Sequence, residues 1–232
     1  MPSDSAADLK LYLQCMERVR HHLRTASAVF GRRIQTGHTD LNAELIFLHL
    51  RKTLEEIAFS SLCANREKYS EVRAKFASFW RAKDLLKEIG RINPNFYPTP
   101  VRLASQVLVE DGKKLSHFEA IGHEHLTQED FVFLYTKASE VLHARNPYRD
   151  DDLTINVRHT VPDWIARIQN LLTIHTTQLV ENEEMWLVFV PEHGQIQANV
   201  SKLVLPEEYD PRLQALSDQS ESGTQDLGET VL

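Results

Sequence analysis

Cysteine is nearly missing from this chain of 232 residues, glycine is scarce, and no long apolar run is present. Cys15 and Cys63 are too few for a disulfide framework and lack the spacing of a metal site, so both read as reduced thiols and the expected location is cytoplasmic. No apolar stretch approaches the roughly 20 residues that cross a bilayer, which predicts no membrane partner. The polar start Met-Pro-Ser-Asp-Ser also lacks the core of an export signal. A phosphate-binding glycine loop, a metal-binding helix motif and a nucleophile elbow are all absent, so no cofactor and no metal are expected.

What is present is the composition of a globular protein, 42% hydrophobic and 25% charged, with a mean hydropathy of -0.36. The formal charge of -7 is concentrated late: residues 206–232 hold seven acids and one base, which leaves 25 bases against 26 acids elsewhere. The body is therefore near neutral, and its electrostatics depend on local patches.

Helical periodicity places Leu9, Tyr12, Leu13, Met16, Val19, Leu23 and Phe30 on one stripe and predicts a helix from Ala6 to Ile34. Arg18, His21, Thr25 and Arg32 lie on its back, either as a solvated face or as contacts for a phosphate backbone. A turn at Thr36–Asp40 leads to a second helix, Leu41–Leu62, antiparallel to the first. That helix is apolar on two sides and so central, with His49, Lys52, Thr53, Glu56 and Ser60 as its exposed wedge. Arg51 and Glu55 fall instead among apolar residues, four positions apart. They read either as a buried orienting pair or as an Arg held by Glu55 and aimed into a polar site. Further helical pattern is expected around Val72–Trp80 and Lys83–Ile89. A proline-rich connector follows at Asn93–Pro100, then a small hairpin formed by Val101–Val109 and Leu115–Ile121.

His117, His123 and His125 could in principle hold zinc or copper, but no cysteine lies near them and they read as loop histidines. Thr127-x-x-Asp130 resembles a capping box and opens a helix from Thr127 to His143. Phe131, Leu134, Tyr135, Ala138, Val141 and Leu142 form its apolar stripe, with Ser139 and His143 together on the polar side. Pro147 forces the helix to stop, which crowds His143, Arg145 and Asn146 where carbonyls lack partners. The same three groups can cap the helix end. They can also serve as proton shuttle, phosphate clamp and orienting amide for cleaving RNA through its 2′-hydroxyl.

The string Leu142-His143-Ala144-Arg145-Asn146-Pro147-Tyr148, with His49–Phe59 and Trp80–Leu86, resembles a group of uncharacterised bacterial proteins. That group in turn is similar to the HEPN-like helical domains. The resemblance covers roughly residues 38 to 150. It implies a helical bundle, often dimeric, of a kind found in toxin–antitoxin and phage-defence systems. Many such domains are metal-independent ribonucleases that use an Arg, four to six residues, then a His. Lys137 and His143 take those positions here, so Lys stands where the nucleases carry Arg, and the two side chains fall about 120° apart around the helix. Lys offers a point charge in place of a planar fork. The resemblance thus implies two functions. One is a ribonuclease with His143 as acid and base, Arg145 or Arg51 on the phosphate and Asn146 positioning it. The other is a non-catalytic module that binds a protein or a nucleotide, with Lys137, Glu55, Ser139 and Tyr148 among its binding residues. Implied partners are RNA, a protein such as an antitoxin, or a second copy of the chain.

Thr160 and Pro162 open a further expected helix, Val161–Leu179, whose buried side includes Trp164, Ile168, Leu171 and a packed His175. Met185–Val190 and Ile196–Val204 flank Pro191–Gln195 as a hairpin that must pack on helices or on the earlier strands. The expected fold is mainly helical α+β: an HEPN-like bundle over 1–150, a helix-plus-hairpin appendage over 151–205 and a disordered acidic tail over 206–232.

Overall fold

A computed structural model of the chain describes residues 2–64, 82–108, 114–122, 124–143, 156–178 and 184–202. Among the described residues the fold is mixed, 60% helical, with one antiparallel sheet of five strands. Helix α1 (Pro2–Phe30) and helix α2 (Thr39–Ala64) form the expected pair. Helix α3 (Ala82–Ile92) leads through a connector into strands β1 (Thr99–Leu108) and β2 (Lys114–Ala120), then helix α4 (Gln128–Leu142). Helix α5 (Val161–Leu172) is followed by β3 (Ile174–Gln178), β4 (Glu184–Phe189) and β5 (Gln197–Lys202). No helix among the described residues is long and apolar enough to cross a membrane.

Strand order is β2-β1-β3-β4-β5. Strands from either side of residue 150 therefore share one sheet, and a single apolar core joins α1, α2 and α4 to Trp164, Ile168, Trp186 and Val188. The β1–β2 ladder runs from Val101 opposite Ala120 to Leu108 opposite Lys114, the expected hairpin, with a register shift between Leu103 and Ser105. The later hairpin forms as well, Met185 opposite Ser201 through Phe189 opposite Gln197.

Three expectations fail for physical reasons. The helix expected to run to Leu179 ends at Leu172, and its last turns are strand β3. Residues 173–177 are Thr-Ile-His-Thr-Thr, four of five β-branched, which suits a pleated surface better than a helix. Thr53 and Ser60, expected in the exposed wedge of α2, are fully buried. Each hydroxyl donates to a carbonyl of its own helix, Thr53 to His49 at 2.9 Å and Ser60 to Ile57 at 2.8 Å, so neither takes an unpaired donor into the core. Phe30, expected on the buried stripe of α1, is half exposed because the helix ends there. The stripe continues instead through Ala26 and Val29.

At the centre lies a polar island. His175 has no exposed surface, and its Nδ1 is 2.8 Å from the Leu172 carbonyl. A carbonyl only accepts, so Nδ1 carries the proton and Nε2 presents its lone pair. The Tyr12 hydroxyl, 2.6 Å from Nε2, therefore donates to it, and the Thr177 hydroxyl at 2.9 Å donates to the Tyr12 oxygen. Burial lowers His175 from 6.5 to about 4, so the ring is neutral near pH 7. The expectation of a packed histidine at this position holds.

Candidate functional site

Helix α4 positions the groups that matter. The Thr127 hydroxyl accepts from the Asp130 amide at 3.1 Å, which fixes the first turn as the sequence predicts. Phe131, Leu134, Tyr135 and Ala138 then bury one side of the helix. Two polar clusters occupy the remaining surface.

Tyr135 carries the first cluster, against α2. The Arg51 Nε donates to Glu55 Oε1 at 3.1 Å, and Arg51 Nη2 donates to the Tyr135 hydroxyl at 3.1 Å. That hydroxyl donates onward to Glu55 Oε1 at 3.4 Å, and the guanidinium carbon lies 5.0 Å from the Tyr135 ring centre. Burial works against the Arg51 charge, but Tyr135 and Glu55 outweigh it and hold the guanidinium above its ordinary value. The expected Arg51–Glu55 pair thus forms. It is not buried, however, because its side chains keep about a third of their exposure, 30% and 31%. An Arg tied to a carboxylate, a phenol and a ring face acts as a clamp between α2 and α4.

Of the expected catalytic group, Arg51 is held in this clamp and His143 lies apart from it. His143 is the C-cap residue of α4 and exposed, its backbone N–H reaching the Glu140 carbonyl at 3.4 Å. Its ring has no hydrogen bond or ion pair to another described residue. At about 1.5 Å per residue it lies about 12 Å along the axis from Tyr135, where Arg51 is held. Ser139, expected beside His143, donates to the Tyr135 carbonyl of its own helix at 2.8 Å. Arg145, Asn146 and Tyr148 lie outside the described residues, as do His123 and the His117 side chain. Among the described residues no group of three His, Cys, Asp or Glu could hold a metal ion.

The second cluster is one the sequence did not disclose. Phe133 and Lys137, one turn apart on the polar side of α4, meet Asn156 and Arg158 around a shallow hollow of about 420 Å³. The Arg158 guanidinium carbon sits 4.0 Å from the Phe133 ring centre and Lys137 Nζ 6.0 Å from it. Behind Phe133, Trp164 stacks at 6.2 Å with 26° between ring planes, and the His159 ring meets Trp164 edge-on at 4.8 Å. Arg158 has φ 64, in the left-handed region that favours glycine. The Asn156 side-chain oxygen accepts from the Arg158 amide at 2.9 Å and holds that turn. Acids balance the cations: Arg158 faces Asp130 at 3.4 Å and Glu129 at 3.6 Å, and Lys137 pairs with Glu140 at 2.7 Å.

Of the expected binding residues that are described, Lys137 lines this hollow, and Glu55 and Ser139 serve α2 and α4. The one signal that could have pointed to Phe133 is that it is a large aromatic outside the apolar stripe. On the basic back of α1, Arg18 pairs with Glu56 at 2.7 Å and Thr25 donates to the His21 carbonyl, while Arg32 lies exposed past the helix end. Arg20 donates to the Pro191 and Gly194 carbonyls, and Arg24 to the Glu192 carbonyl, which docks the β4–β5 turn on α1.

Compared with protein-family models, with curated proteins and with solved structures, the chain matches none.

Proposed function

We propose that the chain is a non-catalytic, HEPN-like binding module that takes a nucleotide in the hollow on α4. One observation carries this reading: an aromatic face, Phe133, backed by Trp164 and flanked by two cations and a side-chain amide. A base can stack on the ring or on the Arg158 plane, and a phosphate can exchange with Glu129 or Asp130 as the partner of Arg158. Those two pairs are long and partly exposed, which makes the exchange inexpensive. Binding is favoured over RNA cleavage because Arg51 is engaged on Tyr135 and Glu55, Lys137 stands in the Arg position, and His143 faces solvent without a described cationic neighbour.

The test is a titration of purified protein with mononucleotides and short single-stranded RNA, read by quenching of tryptophan emission, with the RNA recovered on a gel. Quenching that saturates, and weakens at least about tenfold in Arg158→Ala, supports the reading. Intact RNA with no saturable quenching for any nucleotide refutes it. RNA cleavage that disappears in folded His143→Ala would replace it with the ribonuclease.

A further inference from the structure

Two imidazoles meet between the first two helices. His22 on α1 and His49 on α2 are both half-buried, and their Nδ1 atoms lie 2.9 Å apart. Their ring centres are 5.1 Å apart with 44° between the planes. One turn back along α1, Arg18 holds Glu56 of α2 at 2.7 Å, so the crossing that carries the two rings is itself tied by an ion pair.

An N–H···N bond between two Nδ1 atoms needs one ring protonated there and the other not. If the first ring moves its proton to Nε2, two lone pairs are left facing each other with no change in charge. The spacing suits one kind of ion. Two neighbouring nitrogens in the plane of a square-planar ion, with bonds of about 2.0–2.1 Å, lie about 2.8–3.0 Å apart, whereas a tetrahedral angle spreads them to about 3.3–3.4 Å.

We propose that His22 and His49 form a two-imidazole site for a divalent transition metal that favours square-planar geometry, copper(II) first, with water completing its plane. A turn of each ring about its outer torsion aims both Nδ1 lone pairs at one ion, and neither helix has to move. Copper(II) leads because it binds nitrogen ligands most tightly among the divalent first-row metals and takes this geometry. The surroundings keep the ligands available. Burial, followed by the charge of neighbouring histidines and Lys52, lowers both imidazoles, so both are neutral near pH 7, while Glu56 acts the other way on His22. Lys52 opposes a bound cation and Glu56 favours one. The second carboxylate oxygen of Glu56, Oε2, is buried with no hydrogen-bond partner among the described residues, so part of its charge remains to act on a nearby cation.

The experiment titrates untagged full-length protein, stripped with a chelator, with copper(II) near pH 7 against a chromogenic competitor. One equivalent should bind, and zinc(II) should bind at least about tenfold more weakly. In His22→Gln and in His49→Gln the amide can still bond to the remaining imidazole, so both variants should fold, and copper affinity should fall at least about tenfold. His38→Gln, in the exposed turn between the helices, should keep it. Pulsed electron paramagnetic resonance of the unaltered protein with one copper should show two imidazoles in the plane of the ion, a readout that does not depend on any variant. Copper that is not retained, affinity unchanged in both glutamine variants, or fewer than two bound imidazoles would overturn the proposal. So would tighter binding of zinc than of copper.

Discussion

Acidification tests the polar island directly. In the folded protein His175 takes a proton only near pH 4, whereas in the unfolded chain it does so near 6.5. As pH falls through 6.5 the unfolded state gains that proton first, so stability is whole above 6.5 and drains away down to the folded value. At 1.36 kcal/mol per unit the full effect is about 3.4 kcal/mol, of which about 2.5 kcal/mol is lost by about pH 4.5. Urea unfolding followed by tryptophan emission, near pH 7 and near pH 4.5, measures it. In His175→Gln the amide can still donate to the Leu172 carbonyl and accept from Tyr12, so the variant should fold, at a cost of about 1–3 kcal/mol near neutrality. Its loss between the two pH values should be smaller than the parent's by about 2.5 kcal/mol. His22 and His49, whose Nδ1 atoms lie 2.9 Å apart, are also lowered, chiefly by burial, and drain stability in the same direction. Both remain in parent and variant, so their contribution cancels. Parallel losses in the two proteins would refute the account of His175.

Thr160 caps α5 in a reciprocal box, its hydroxyl accepting from the Asp163 amide while the Asp163 carboxylate accepts from Thr160. Thr160→Ala should cost about 1 kcal/mol in a denaturation midpoint, and an unchanged midpoint would count against the cap. Arg51→Met should keep the fold and nucleotide binding while losing about 1 kcal/mol or less, since the clamp it removes is about a third exposed. Loss of binding in that variant would move the site to Tyr135.

Much of the architecture could be read from local chemistry. Thr127 with Asp130 and Thr160 with Pro162 announced two helix starts, because the signals of a helix start lie within three residues of one another. The stripe on α4 and both hairpins followed from periods of 3.6 and 2. The end of α5 was misread because His175 fits both periods: it continues the buried side of the helix, and it also alternates with Thr177 on the buried face of β3. Burial of Thr53 and Ser60 was invisible because their donors are satisfied within their own helix, where a hydropathy pattern does not register them. The candidate site was the least legible part. Phe133 and Arg158 are brought together only by the tertiary path between α4 and α5, and no spacing along the chain encodes it. The crowding at the end of α4 was visible, and its one described member, His143, ends exposed.

The sheet is joined at a narrow seam. Among the described residues, β1 and β3 pair only at Thr99 with Thr176 and Pro100 with His175, whereas β3 and β4 share five pairs. Proline has no amide hydrogen to lend to a ladder, so the seam is also poor in donors. The first two strands are thus cantilevered from the remaining three. A force applied to their far end would bear on a joint two residues wide, directly beside the buried imidazole.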